Sequence, residues 1–231
     1  MQTKSPQSKR KAPGFVRRSS VQTHEVRIIG GHWKRIKLKV ADRPGLRPTP
    51  DRVRETLFNW LGQDLSGLVC VDAFAGTGAL GFEAASRGAR EVLLVEQDAA
   101  LVTQLHKVQT QLQALVLPEP VDQTFRIQRG EGVAALRQLA SASQNVIFLD
   151  PPFDGNLYEA ALGAASRALA PQGAVYQEAP KCWTDAELAP FGLQVSRHLK
   201  AGAVHAHVLH AVPMAAMPLD TSVSIESGGT A

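Results

Sequence analysis

From Leu68 onward the chain alternates short apolar runs with amphipathic stretches, and this rhythm constrains the fold more than any other feature. Apolar runs at 68–73, 91–96, 125–129, 145–149 and 173–177 predict strands. Between them the spacing predicts helices over 78–87, 99–115, 133–140 and 157–169. Strands alternating with helices imply a parallel sheet joined by right-handed crossovers. Segments 193–199 and 203–211 flank Ala201-Gly202 and read as an antiparallel hairpin that closes the sheet. The expected fold is α/β and Rossmann-like, a mostly parallel seven-stranded sheet with an antiparallel terminal hairpin. Ligands in such sheets bind beyond the C-terminal ends of the strands, where strand order reverses. The turns after the first and fourth strands are therefore where chemistry is expected.

The first of these turns is Asp72-Ala73-Phe74-Ala75-Gly76-Thr77-Gly78-Ala79-Leu80-Gly81. Gly76, Gly78 and Gly81 match the spacing G-x-G-x-x-G, and Glu96 stands 20 residues after Gly76, at the end of the second strand. Glycines let the backbone turn sharply and approach a ligand closely. An acid at the end of the second strand accepts hydrogen bonds from ribose hydroxyls. This pattern fits a dinucleotide or S-adenosylmethionine equally well.

The second turn is Asp150-Pro151-Pro152-Phe153. Two prolines fix the backbone and remove two N–H donors, leaving carbonyls and a carboxylate. An all-acceptor turn suits an exocyclic amino group. The lone pair of such an amine is delocalised into its ring. Hydrogen bonds to the Asp150 carboxylate and the Pro151 carbonyl would favour a pyramidal nitrogen with its lone pair aimed at an electrophile. Phe153 would stack on the base, a contact worth about 1–3 kcal/mol. A base inside a helix must first be flipped out. On a nicotinamide-dehydrogenase reading, nothing explains this tetrapeptide.

Charge divides the chain. Residues 1–54 hold 15 Lys/Arg against three acids, whereas the remainder is acidic, with 10 Lys/Arg against 18 acids. A basic arm on an acidic body suggests a polyanion partner. Residues 1–23 are rich in Lys, Ser, Gln and Pro and read as a disordered basic tail. Segments 25–29 and 33–40 flank Gly30-Gly31 and predict a second, N-terminal β-hairpin. Thr49 and Pro50 are placed to open a helix through Val53, Leu57, Phe58 and Leu61, with Arg52 and Arg54 off its apolar face. Arg27, Lys34, Arg35, Lys37, Arg47, Arg52 and Arg54 are the candidate nucleic-acid contacts. The expected organisation is a hairpin-and-helix nucleic-acid-binding extension over 24–62, a catalytic domain over 63–212 and a disordered tail over 213–231.

No apolar run approaches the roughly 20 residues of a membrane span, and the basic N-terminus lacks the apolar core of a secretory signal. Cys70 and Cys182 read as reduced cytosolic thiols. The seven histidines form no ligand motif, so no metal is expected.

Together these segments resemble the 16S rRNA guanine-N(2) methyltransferases of the RsmD type. The likeness runs from about Glu25 to Val212. It is carried by Arg27-Ile28-Ile29-Gly30-Gly31, Arg47-Pro48-Thr49, Asp51-Arg52-Val53-Arg54-Glu55-Thr56-Leu57-Phe58-Asn59-Trp60-Leu61, the Asp72–Gly81 loop and Asp150 to Phe153. The resemblance implies a class I methyltransferase fold with an N-terminal β-hairpin. It also implies S-adenosyl-L-methionine as cofactor and a guanine in small-subunit rRNA as substrate, free or within an assembling 30S particle. Asp72, Phe74, Ala75, Gly76, Gly78 and Leu80 would then hold the methionine end of the cofactor, Glu96 the ribose and Gln97 the adenine. Such enzymes usually carry Asp or Asn where Gly130-Glu131-Gly132 stands here. Glu131 or the Gly132 N–H would take over the adenine contact. Asp150, Pro151, Pro152 and Phe153 would hold the guanine amine. An amino methyltransferase acting on DNA adenine or cytosine, or on another RNA, is the alternative acceptor reading. A cytoplasmic monomer is expected.

Overall fold

A computed structural model describes residues 24–40, 49–115, 123–153 and 157–213. The expected tail at 1–23, the expected tail at 213–231 apart from Pro213, the loop through Arg47, and residues 116–122 and 154–156 lie outside the described residues.

Seven strands form the main sheet: β3 (Val69–Asp72), β4 (Glu91–Glu96), β5 (Thr124–Arg129), β6 (Gln144–Leu149), β7 (Leu169–Ala179), β8 (Leu193–Ala201) and β9 (Val204–Ala211). Their order is β5-β4-β3-β6-β7-β9-β8. The β3–β4, β3–β6, β4–β5 and β6–β7 pairs are parallel, and β9 pairs antiparallel with both β7 and β8. Strand order reverses between β3 and β6, which places the crevice at the ends of the two strands that carry the motifs. Helices α2 (Ala79–Ser86), α3 (Ala99–Gln113), α4 (Gly132–Gln138) and α5 (Tyr158–Ala168) make the crossovers. Strands buried on both faces read as unbroken apolar runs. Val146 through Leu149 accordingly sit at 3% exposure or less.

Two features of this half escaped the sequence reading. β7 begins at Leu169 rather than 173 and continues to Ala179. A one-turn helix α6 (Asp185–Leu188) follows it, opened by a capping box in which Thr184 and Glu187 satisfy each other's backbone donors.

The N-terminal hairpin pairs β1 (His24–Arg27) with β2 (Lys37–Val40). The turn between them is wider than Gly30-Gly31 and takes in Trp33 to Ile36, which had been expected in the second strand. The cause is tertiary. His32 N donates to Ser86 O at 2.6 Å and Trp33 N to Ser86 Oγ at 2.9 Å, so the segment docks on the end of α2 instead of continuing the ladder. Gly31, at φ 73°, lies so close to the Ser86 carbonyl that no Cβ fits between them. Trp33, 4% exposed, packs edge-on to Phe125.

Helix α1 (Asp51–Leu61) lies against the hairpin and α2. Leu57 and Phe58 are fully buried, each contributing about 1.5–3 kcal/mol. Arg54 corrects the sequence reading: it is buried on this face rather than presented to RNA. Its guanidinium bonds Thr49 O, Arg27 O and Asp51 Oδ1, and stands 3.6 Å from Glu83. The spacing 54, 57, 58, 61 is itself helical, so Arg54 shares the apolar face. Thr49 does not cap the helix; the N-cap position is Pro50, without a side-chain bond.

Candidate functional site

The loop after β3 turns sharply into α2. Gly78, at φ 77°, precedes the helix, and a Cβ there would strike the rings and methyls of Phe82 and Leu105. Asp72, 1% exposed, folds back across the loop and accepts the Gly81 N–H at 2.9 Å. Burial pushes its carboxyl up to about 7, against the opposing pull of the Gly81 and Phe74 amides. Ala75, Gly78 and Leu80 are buried, while Phe74 and Gly76 are half-buried at the lip.

Glu96 ends β4 facing this loop. One carboxylate oxygen accepts the Gly76 N–H at 2.9 Å and the other the Asp98 N–H at 2.8 Å. A carboxylate has about four lone-pair sites. The half-buried Glu96 therefore keeps acceptor capacity for a ligand diol while pinning the loop. Gln97 and Glu131 are exposed on the same rim, and Gly132 is buried at the start of α4. This lip suits the ribose and adenine of S-adenosylmethionine.

Across the switch point stands the acceptor turn. Pro151 is buried, Pro152 is exposed, and Phe153 is a large apolar side chain 46% exposed. Burial, then the neighbouring Glu178 and Asp72, hold the Asp150 carboxyl well above the usual range. Glu178 was missed by sequence reading. It lies near the end of β7 at 5% exposure and accepts hydrogen bonds from Thr49 Oγ and Tyr176 OH, both at 2.8 Å. Burial raises its carboxyl too, against the opposing pull of those hydroxyls. Tyr158, opening α5, has a buried hydroxyl with no partner among the described residues, and burial with Asp150 nearby pushes it up to about 12. The only sequence signal for Glu178 was a lone acid after an apolar run.

The expected RNA contacts separate. Lys34, Arg35 and Arg52 are exposed. Arg27 pairs with Asp51 at 3.0 Å and Lys37 with Glu25 at 2.7 Å, both at the surface. Arg47 lies outside the described residues, and Arg54 is internal. At the far edge of the sheet, Cys182, His198 and His205 bring their ligand atoms within 4.8 Å of one another, a grouping invisible in the sequence. His198 Nε2 and His205 Nδ1 already share a hydrogen bond at 2.9 Å.

Fold and site define a class I methyltransferase architecture. Solved structures agree. One from Escherichia coli, described provisionally as a methyltransferase, is 34% identical with TM-score 0.66, covering 81% of this chain and 98% of that one. Trm1 from Pyrococcus horikoshii, solved with S-adenosyl-L-methionine, shares the fold at TM-score 0.59 and 15% identity, covering 80% of this chain and 60% of that one.

Residues 26–210 match the family described as Conserved hypothetical protein 95, and the chain belongs to that family. Relatives include the ribosomal RNA small subunit methyltransferase D of Haemophilus influenzae, 42% identical over 68% of this chain and 80% of that protein. The enzyme of the same name from Escherichia coli is 45% identical over 58% of this chain, and the match spans 64% of its length. Among the described residues no helix is long and apolar enough to cross a membrane.

Proposed function

We propose that this protein transfers a methyl group from S-adenosyl-L-methionine to the exocyclic amino group of a guanine in small-subunit (16S) rRNA. One observation carries the reading: a glycine loop with its ribose-type acid and an all-acceptor Asp-Pro-Pro-Phe turn meet at the switch point between β3 and β6. The names of the relatives support rRNA as the substrate class.

When bound, the cofactor supplies an already activated sulfonium methyl. The protein's task is placement. Holding nucleophile and electrophile in line is worth several orders of magnitude in rate. Glu96 and the loop from Phe74 to Gly78 fix the cofactor end. Asp150 and the Pro151 carbonyl accept the two amine hydrogens and aim the nitrogen lone pair. Phe153 offers an exposed face for the base. Transfer would make an N–C bond as the sulfonium's S–C bond breaks, its electron pair staying with the departing thioether, and would leave the nitrogen one proton to shed. Asp150 is at hand for that proton, and burial raises its affinity for one.

Lys34, Arg35 and Arg52 supply phosphate contacts, which give affinity and position rather than base choice. The protein acts as a cytoplasmic monomer on rRNA, naked or in an assembling 30S particle. The test is transfer of labelled methyl to small-subunit rRNA lacking the modification, with duplex DNA in parallel. The expected result is label in rRNA, none in DNA, and loss of transfer with Asp150→Ala. Label in DNA alone, or unchanged transfer by the variant, overturns the reading.

A further inference from the structure

We propose that Glu178 accepts the N1–H of the target guanine and so makes the pocket selective for that base; this rests on the methyl-transfer reading above.

The register places it. Asp72 on β3 stands opposite Phe148 on β6, which stands opposite Tyr176 on β7. Phe148 and Tyr176 share one face of the sheet, their rings 6.4 Å apart. Side chains alternate along a strand, so the next residues on that face are Asp150 and Glu178. Neighbouring strands lie about 4.8 Å apart, which sets the two carboxylates side by side at the crevice. The glycine loop and Glu96 lie on the β3–β4 side of Asp150. Glu178 lies on the other side, where a base must enter if its amine is to sit between Asp150 and the cofactor.

Glu178 is buried without a basic partner among the described residues. Both hydroxyls that bond it reach the same oxygen, Oε1, and Oε2 receives no donor from the described residues. Oε2 is not sealed in the interior, so a donor brought by a ligand can reach it. Guanine brings one. Its Watson–Crick edge sets N1–H beside the N2 amino group, a row of donors facing a row of acceptors. Adenine and cytosine carry a ring-nitrogen lone pair beside their amino group, which would meet the carboxylate with repulsion. Sites built around a substrate N–H reject analogues lacking it strongly, because their own buried groups are left unpaired. Burial disfavours the ionised carboxylate, and a donor supplied by the base favours it.

The test compares guanine with 2-aminopurine at the methylated position of small-subunit rRNA. The analogue keeps the amine and replaces N1–H by a lone pair. Wild type and Glu178→Gln are assayed for kcat/KM on both. Glutamine preserves the Thr49 and Tyr176 bonds through its carbonyl and turns an N–H toward the base. We expect wild type to prefer guanine by roughly 10- to 100-fold, the worth of one charge-assisted hydrogen bond. In the variant that preference collapses or reverses, with cofactor binding by calorimetry unchanged. Wild type that uses both bases equally overturns the proposal, even if the variant fails to fold. So does a variant that keeps the wild-type preference. Absence of transfer to guanine by wild type would instead overturn the methyl-transfer reading itself.

Discussion

Glu83 and Glu178 are both buried carboxylates, and the molecule treats them in opposite ways. Glu83, fully buried on α2, takes the Ile29 and Gly30 N–H groups at 2.7 and 2.8 Å and Arg87 Nε at 2.9 Å, with Arg54 at 3.6 Å. Arg87 also lies over the Phe58 ring at 4.7 Å. Charge is compensated from several elements at once, so this knot fastens the N-terminal segment and α1 to the sheet domain. Glu178 and its neighbour Asp150 have no cationic partner among the described residues, and Glu178 is held by neutral hydroxyls. A compensated carboxylate is glue. An uncompensated one is a waiting acceptor, and proteins tolerate that cost where function requires it.

The largest effect expected from breaking this contrast is on rate. Asp150→Ala should lower kcat for methyl transfer on the order of 100-fold or more. The melting temperature should hold or rise, because a buried, unpaired carboxylate is removed. Loss of stability instead would make Asp150 a structural residue like Glu83. Glu83→Gln should do the reverse. It leaves Arg54 and Arg87 without their shared anion and should cost about 3–5 kcal/mol by chemical denaturation. Variant molecules that remain folded should still bind cofactor.

A pH series sharpens the comparison. Below pH 3.8 Asp72 is protonated in folded and unfolded chains alike. Between 3.8 and about 7 the unfolded chain has released a proton that the folded protein keeps, so this residue's contribution to stability is lost as pH rises through that window. Asp72→Asn should therefore gain on wild type from pH 4 to pH 7 and no further above it, read from denaturation midpoints. A gap that stays constant would place the carboxyl in water.

The smallest effect separates two neighbouring arginines. Arg52 is exposed and Arg54 buried on the same helix. Arg52→Ala should weaken rRNA binding a few-fold and reduce the salt slope by about one. Arg54→Ala should lower stability and leave that slope alone.

Much of this was legible in the sequence, for reasons that differ by element. The central parallel strands β3, β6 and β7 announce themselves because both faces are buried, whereas β5 at the edge shows only the alternating Phe125 and Ile127, and the two motifs fall at strand ends by the logic of the fold. The Gly76–Glu96 spacing proved to be a contact: the two residues are hydrogen-bonded across 20 positions. What was not legible depends on contacts between distant segments. Nothing local says that Thr49 bonds Glu178, 129 residues away, instead of capping α1. Nothing local turns Trp33 out of a strand; Ser86 does that. Arg54 is the intermediate case. Its position on the helical face was readable, but its burial required Glu83, Asp51 and two carbonyls to be brought to it.

The most direct measurement is nucleoside analysis of small-subunit rRNA after reaction with wild type and with Asp150→Asn. The account predicts N2-methylguanosine with wild type and almost none with the variant, which keeps the shape of the acceptor and loses its charge. Methylated adenosine or cytidine, or N2-methylguanosine formed equally by both, would contradict it.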